Sequence, residues 1–197
     1  MIKIRYKFTD KDIAKIQDSI GIIVDSREQN NKHILDYFNK EKIPYKIMKN
    51  DYADYSCYIP AGTIDMFTCD IYFDRDIAIE RKASIDEIAG NLKGDATRLK
   101  TELAHLNMYD IKYWIFIEDP NYHVNLRTGN YRSQYDPKRL LKRIKTGIEA
   151  EYNTMIIPVS KNCIGSEIYY TLRGFVYTLF KHKGFILEES EELVNED

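Results

Sequence analysis

Cysteine is scarce in this sequence: three among 197 residues, Cys57, Cys69 and Cys163, an odd number at distant positions. That argues against a disulfide framework and against a paired-cysteine zinc site, and makes a reducing, cytoplasmic setting the expectation. No apolar run approaches the length that crosses a bilayer, so no membrane is expected as a partner. The opening residues MIKIRYKF alternate charged and apolar side chains and do not read as a secretory signal. Internal repeats and low-complexity linkers are lacking, and His33, His105, His123 and His182 are scattered without metal-ligand spacing. What is present, 44% hydrophobic and 30% charged residues, is the balance of a soluble globular chain long enough to bury a core.

The net charge of −2 conceals an uneven distribution. Residues 188–197 carry six acids and neither Lys nor Arg, leaving 29 basic residues against 25 acidic ones (31 less 6) in residues 1–187. The tail is expected to be a solvated, frayed end. The body is mildly basic, which suits a nucleic acid without requiring one.

Periodicity alternates strands with helices. Ile2 to Phe8 alternates as a short strand, and Thr9 or Asp10 caps a helix running through Gln17. Gly21 to Asp25 reads as a buried strand, Lys32 to Lys40 as a helix and Tyr45 to Lys49 as a second strand. Asp51 to Thr68 is loop-like, with Pro60 and Gly62 marking a turn. Asp70–Phe73 and Ile77–Lys82 read as two strands of one hairpin. Ser84 and Glu87 fit a capping box ahead of a helix from Ile85 to Leu92, and Asp95 to Met108 is a longer helix. Tyr113 to Ile117 is an apolar strand, and Asn121 to Tyr135 an irregular excursion. Asp136–Pro137 opens a helix to Ala150. Met155 to Val159 is a strand, and Ser166 to His182 a closing helix with Gly184 at its end. The expectation is a three-layer α/β domain. Ile168, Leu172, Phe175, Val176 and Leu179 form the closing helix's buried stripe, which a dimer contact can extend.

The residues that suggest chemistry begin with Ile77-Ala78-Ile79-Glu80-Arg81-Lys82. On a strand, Glu80 and Lys82 share one face and Arg81 takes the other. A carboxylate there can hold a hard divalent cation, and a neighbouring ammonium can orient or help deprotonate a water and neutralise a phosphate. Further acids are available in Asp25, Glu28 and Asp54, and strand ends are where an α/β sheet presents ligands. Taken alone, an acid and a lysine two apart on a strand are common, and a solvated strand face accounts for them as well.

Val24-Asp25-Ser26-Arg27-Glu28, Ala53-Asp54-Tyr55 and Ile79-Glu80-Arg81-Lys82-Ala83-Ser84-Ile85-Asp86, in that order, resemble the XPF-type nuclease domain of excision-repair and Mus-type nucleases. That family is marked by V-D-x-R-E, then G-D, then V-E-R-K-x-x-x-D. Gly94 to Glu102, with Arg98, is similar to the family's helix start, and the resemblance spans roughly residues 20–180. The segments around Tyr6–Asp10 and Asn130–Tyr135 resemble stand-alone phage or prophage versions. The resemblance implies a restriction-endonuclease-like (PD-(D/E)xK) fold with a central mixed sheet. It divides the chain into an N-terminal extension (1–20), a nuclease domain (21–187) and the acidic tail (188–197). It also implies Mg²⁺- or Mn²⁺-dependent endonuclease cleavage of DNA, branched or flapped, in recombination, replication or repair.

Carried over by position, the resemblance makes Asp54 and Glu80 the principal metal ligands, with Asp25 and Glu28 completing the acidic cluster. Lys82 then positions or activates the water, and Arg81 braces the strand end toward Asp86 or Asp25. Ala53 stands where the family has glycine, and 26 positions separate Asp54 from Glu80. Should the long connection between them distort that geometry, Asp70 or Asp76 are substitute ligands ranked below Asp54. The chain closes without the family's helix-hairpin-helix module, which leaves junction specificity and a homodimer open. Arg27 is a brace or a phosphate contact, and Arg98 the leading candidate for touching the scissile strand. Arg132 and the helical stripe Lys138, Lys142 and Lys145 are candidate DNA contacts, with an ordinary solvated face as the alternative. Tyr122, Tyr131, Tyr135 and Trp114 are better explained by packing than by base stacking. A catalytically inert DNA-binding or subunit-pairing module of the same fold is the competing function. An enzyme acting on duplex ends or RNA is a third, since acids and a lysine read a phosphate and not a base.

Overall fold

The computed structural model describes residues 4–94 and 96–187. In chain order the elements are β1 (Ile4–Tyr6), α1 (Asp10–Ser19), β2 (Gly21–Asp25), α2 (Lys32–Lys40), β3 (Tyr45–Met48), β4 (Tyr55–Ile59), β5 (Ile71–Tyr72) and β6 (Ile77–Lys82). There follow α3 (Ile85–Gly94), α4 (Ala96–Met108), β7 (Lys112–Ile117), α5 (Tyr122–Thr128), α6 (Pro137–Ile144), β8 (Met155–Pro158), α7 (Ile164–Thr178) and β9 (Phe185–Leu187). Both α6 and α7 continue into a π-helical turn, over Lys145–Ala150 and Leu179–Lys183. The acidic tail 188–197 lies outside the described residues.

Local chemistry explains several boundaries. Thr9 Oγ1 accepts from Asp12 N at 3.2 Å while Asp12 Oδ2 accepts from Thr9 N at 3.1 Å, a reciprocal cap that starts α1. Asp136 accepts from Arg139 N at 2.9 Å, and Pro137, which has no N–H to leave unpaired, takes the first helical position of α6.

The main sheet is mixed, in the order β3–β2–β4–β6–β7–β8, with β5 paired to β4. The pairs β2/β3, β6/β7 and β7/β8 are parallel, while β4 runs antiparallel to both β2 and β6. β1 and β9 form a separate antiparallel pair. Strand parity assigns the sheet's two faces to two cores. Ile22, Val24, Tyr55, Cys57, Ile77 and Ile79 face a core closed by Ile16 of α1, Phe38 of α2, and Ile168, Leu172 and Val176 of α7. Ala78, Tyr113, Ile115 and Ile117 face a second core, closed by Ile88 of α3, Leu103 of α4, Leu126 of α5 and Leu140 of α6. This is the three-layer, restriction-endonuclease-like α/β arrangement expected. The α7 stripe is buried inside the chain against its own sheet.

Three sequence expectations fail. Residues 55–59 are not loop but the central strand β4, buried along its whole length. Both faces are covered, so no alternation betrays it, and its interior hydroxyl, Ser56 Oγ, donates to Ile77 O at 2.8 Å. Consequently β6 does not form a hairpin with β5: each pairs with β4 instead, and Asp54 stands immediately before β4. Residues 122–128 are helix α5, not an irregular excursion. Tyr122 and Leu126, one turn apart, are its buried face, and Gly129 ends it at φ 77°.

The close packing of β2 against β4 is testable at one atom. A Cβ on Gly21 would lie 2.3 Å from the Tyr58 ring. That ring is itself held by stacking on Tyr72, at 5.9 Å between centroids, and by Lys46 Nζ above it. Gly21→Ala should therefore lower the unfolding free energy by about 1–3 kcal/mol in urea titration. Gly90→Ala, in open space on the exposed face of α3, should raise it by about 0.5–1 kcal/mol.

Candidate active site

The site forms at the C-terminal end of β6, where three consecutive charged side chains divide between the faces of the sheet. Glu80 and Lys82 turn toward α3 and α4, and Arg81 toward α2, as parity requires. The Arg81 backbone N–H donates to Asp54 Oδ2 at 2.8 Å, and Asp54 N donates to Ile79 O at 3.2 Å. The β4–β6 pairing therefore brings Asp54 to Glu80. On this front face Lys82 Nζ donates to Glu80 Oε1 at 2.6 Å. Burial favours the neutral amine of Lys82, but Glu80 outweighs it, so the pKa is raised and the ammonium stays charged. Asp54 is driven the other way. Burial first, and then the Glu80 carboxylate, push its pKa up to about 8. Glu102 of α4 is also raised, by burial and then by Glu80. Asp54 and Glu102 are thus each crowded by Glu80, beside one lysine.

The back face is balanced differently. Arg81 Nη2 donates to Glu28 Oε1 at 3.2 Å, Nη1 lies 3.2 Å from Glu118 Oε1, and Glu118 Oε1 is 2.5 Å from His33 Nε2. The Arg81 and Glu118 side chains are each 5% exposed. Arg81 therefore braces against Glu28 and Glu118, not against Asp86 or Asp25 as expected. Asp86 instead accepts from Ser133 N at 2.6 Å and meets Arg132 Nε at 3.3 Å. Asp25 is taken by Arg27, whose backbone N and Nε donate to its carboxylate at 2.9–3.0 Å, with Nη2 closing the fork. Arg27 Nη2 also donates to Asn50 O at 2.7 Å. Burial would raise the Asp25 carboxyl, but the guanidinium beside it holds it below its usual value.

Ala53, in the glycine's place, adopts φ 60°, so the left-handed turn survives the substitution. Asp25 N donates to Asp54 O at 2.8 Å, pinning the residue that follows. Asp70 is engaged elsewhere, by Lys46 and Ala61 N, and Asp76 lies before the opposite end of β6; neither joins the cluster.

An open groove of about 600 Å³ borders the front face, lined by Arg27, Tyr52, Thr97, Arg98, Thr101 and Glu102 among others. It unites two of the sequence-predicted DNA contacts, Arg27 and Arg98. Lys138, Lys142 and Lys145 are exposed on α6 and the turn beyond it and do not line this groove; Lys145 pairs with Glu149. Tyr122 is buried, and Tyr131 Oη donates to Tyr135 O at 2.8 Å, so these tyrosines pack as expected. Glu102, Glu118 and His33 are members of the site that sequence reasoning missed. Glu102 had a visible signal: it lies one turn beyond Arg98 on a helix already placed beside the motif.

With this geometry in view, comparison with known families is decisive. The ERCC4 domain matches residues 24–162. The chain belongs to the ERCC4-domain family. Among solved structures it is similar to XPF from Aeropyrum pernix, at 18% identity and TM-score 0.54, covering 80% of this chain and 66% of that one. It is also similar to XPF from Aeropyrum pernix in complex with DNA, at 17% identity and TM-score 0.50, covering 78% and 63%. The ERCC4-domain chain thus spans slightly less than two thirds of those XPF chains, and the likeness is one of fold. No curated protein sequence matches significantly.

The raised carboxyls fix a pH response. The folded Asp54 retains a proton, up to about pH 8, that the unfolded chain releases near 3.8, and Glu102 acts in the same sense. Stability is therefore greatest at the acid end of that window and declines as pH rises through it. In EDTA, the melting temperature should fall between those pH values, and Asp54→Asn should flatten the decline. A melting temperature that climbs toward pH 8 would contradict the crowding of these carboxyls.

Proposed function

We propose that this ERCC4-domain protein is a DNA endonuclease that hydrolyses phosphodiester bonds at the Asp54–Glu80–Lys82 cluster, acting on branched or flapped DNA. The observation that carries the reading is the unbalanced front face. Asp54 and Glu80, drawn together by the β4–β6 pairing, crowd each other's charge beside a groove that holds Arg27 and Arg98. Membership of the ERCC4-domain family and a fold shared with a protein whose structure is known in complex with DNA support it.

The donor set suits a hard divalent cation. Among the described residues no three His, Cys, Asp or Glu side chains converge as a ready-made cage. Two carboxylates, with water and substrate oxygens supplying the rest, are nevertheless how Mg²⁺ is commonly bound. Asp54 and Glu80 would hold Mg²⁺ or Mn²⁺; Asp25, with both oxygens occupied by Arg27, would not. When bound, the cation supplies Lewis-acid polarisation of the phosphate and a more acidic water. The remaining roles belong to the chain. Lys82, an ammonium and not a free amine, orients the attacking water and neutralises a phosphate oxygen rather than removing the proton. Arg98 and the exposed part of Arg27 steer the phosphate backbone along the groove. Water adds to phosphorus and gives up a proton to solvent, while the P–O3′ bond breaks and the departing 3′ oxygen takes up a proton from solvent, leaving a 5′-phosphate and a 3′-hydroxyl.

Cleavage of end-labelled flap, fork, four-way junction, duplex and single-stranded DNA with Mg²⁺ or Mn²⁺ tests this. Glu80→Gln and Asp54→Asn should each reduce the rate by at least about a hundredfold with DNA binding retained. Arg98→Ala should weaken binding of every substrate and reduce its salt dependence. Binding without cleavage in any metal would instead leave an inert DNA-binding or pairing module, and equal cutting of all substrates would remove structure selectivity.

A further inference from the structure

The chain of contacts behind the strand end runs from the surface to the catalytic strand. His33, on the first turn of α2, is its outermost member, with a side chain 25% exposed. A carboxylate can only accept, so His33 Nε2 is the donor toward Glu118 Oε1 at 2.5 Å. That same oxygen is shared with Arg81 Nη1 at 3.2 Å. On its other side Arg81 reaches Glu28 at 3.2 Å. One buried guanidinium is thus divided between two carboxylates, and Arg81 Nε, also buried, finds no partner among the described residues. Its orientation therefore depends on how strongly each carboxylate draws on its two terminal nitrogens. Glu118 is tied to the same strand end through its backbone, since Glu118 N donates to Lys82 O at 2.9 Å.

We propose that His33 is a positioning residue: by occupying Glu118 Oε1 it sets where Arg81 sits between Glu118 and Glu28. Through the Arg81 backbone N–H it thereby sets where the Asp54 carboxylate points. His33 lies on the opposite face of the sheet from the groove and touches none of the residues proposed to meet DNA. Without its N–H, Glu118 has Arg81 as its remaining partner, the guanidinium is drawn from Glu28, and the loop between β2 and α2 loses its tie to β6. A positioning role predicts a rate effect without a binding effect, and rescue by any side chain that still donates.

The test has one arm that needs no activity. In ¹⁵N-labelled protein, the Arg81 guanidinium Nε–H resonance is identified by its loss in Arg81→Lys. It should shift in His33→Leu and remain near its native position in His33→Gln, whose amide keeps a donor. The second arm rests on the nuclease reading. For His33→Leu, kcat should fall by about 10–100-fold, the usual effect of removing an outer-shell support. KM for DNA should stay within about twofold and His33→Gln should recover most of the rate. An unmoved resonance in His33→Leu overturns the proposal, as does an unchanged kcat, or a loss that His33→Gln reproduces. Should His33→Leu not fold, Glu118→Gln must move the same resonance. If the native protein cleaves nothing, the nuclease reading fails, and the resonance still decides whether His33 places Arg81.

Discussion

A guanidinium that is 5% exposed cannot be left without counter-charge, and the architecture of the site follows from meeting that demand at Arg81. Glu28 comes from the segment after β2, and Glu118 from the residue just past β7. The two carboxylates therefore fix three segments of chain around one side chain. Removing one partner from such a group costs about 3–5 kcal/mol, although a well-packed apolar replacement of the whole set can be neutral. The ion pairs are thus better understood as specifying an arrangement than as adding net stability. What they specify is the strand end: with the side chain fixed behind the sheet, the Arg81 N–H is fixed in the plane of the sheet toward the start of β4, and that N–H holds Asp54.

Legibility in the sequence tracked how local each cause was. The cap at Thr9, the Asp136–Pro137 start, the extent of α2 and the buried run of β2 are written in neighbouring residues. So is the division of Glu80 and Lys82 from Arg81, which needs only the alternation of a strand. β4 was hidden because its core positions are tyrosine, serine and cysteine, and because a strand buried on both faces has no period to detect. Missing β4 meant pairing β5 with β6, and that error concealed why Asp54, 26 positions from Glu80, stands beside it. Resemblance to a family supplied Asp54 where periodicity did not. His33 and Glu118 are 85 positions apart and meet only because the start of α2 comes up against the end of β7 behind the sheet, so no spacing rule finds them.

The long connection between β4 and β6 leaves the site undistorted because it is folded on its own account. Gly62, at φ 76°, turns the chain so that its N–H donates to Phe67 O at 2.7 Å, and Asp70 accepts from Ala61 N at 2.9 Å. Ile64 and Phe67 are buried in the first core, with the Phe67 ring tilted against those of Phe8 and Phe180. The connection thus contributes core to the outer end of the sheet while Asp54, ahead of β4, stays bonded to the end of β6.

The two faces of the strand end solve opposite problems. Behind the sheet, cation and carboxylates are matched and closed to solvent, and that arrangement stays put. In front, Glu80 and Glu102 exceed Lys82 while Asp54 is held protonated by burial and Glu80, and Arg27 is committed to Asp25. A phosphodiester brought alone to this face would add negative charge to an acidic site and be repelled. A divalent cation alone would be welcomed, and with it the phosphate becomes acceptable too. Under the proposed function, metal and DNA should therefore bind with positive coupling: each makes the face more hospitable to the other, and Lys82 balances the charge left over. The closed face gives the open one a fixed frame in which that exchange of charge can occur without the strand end moving.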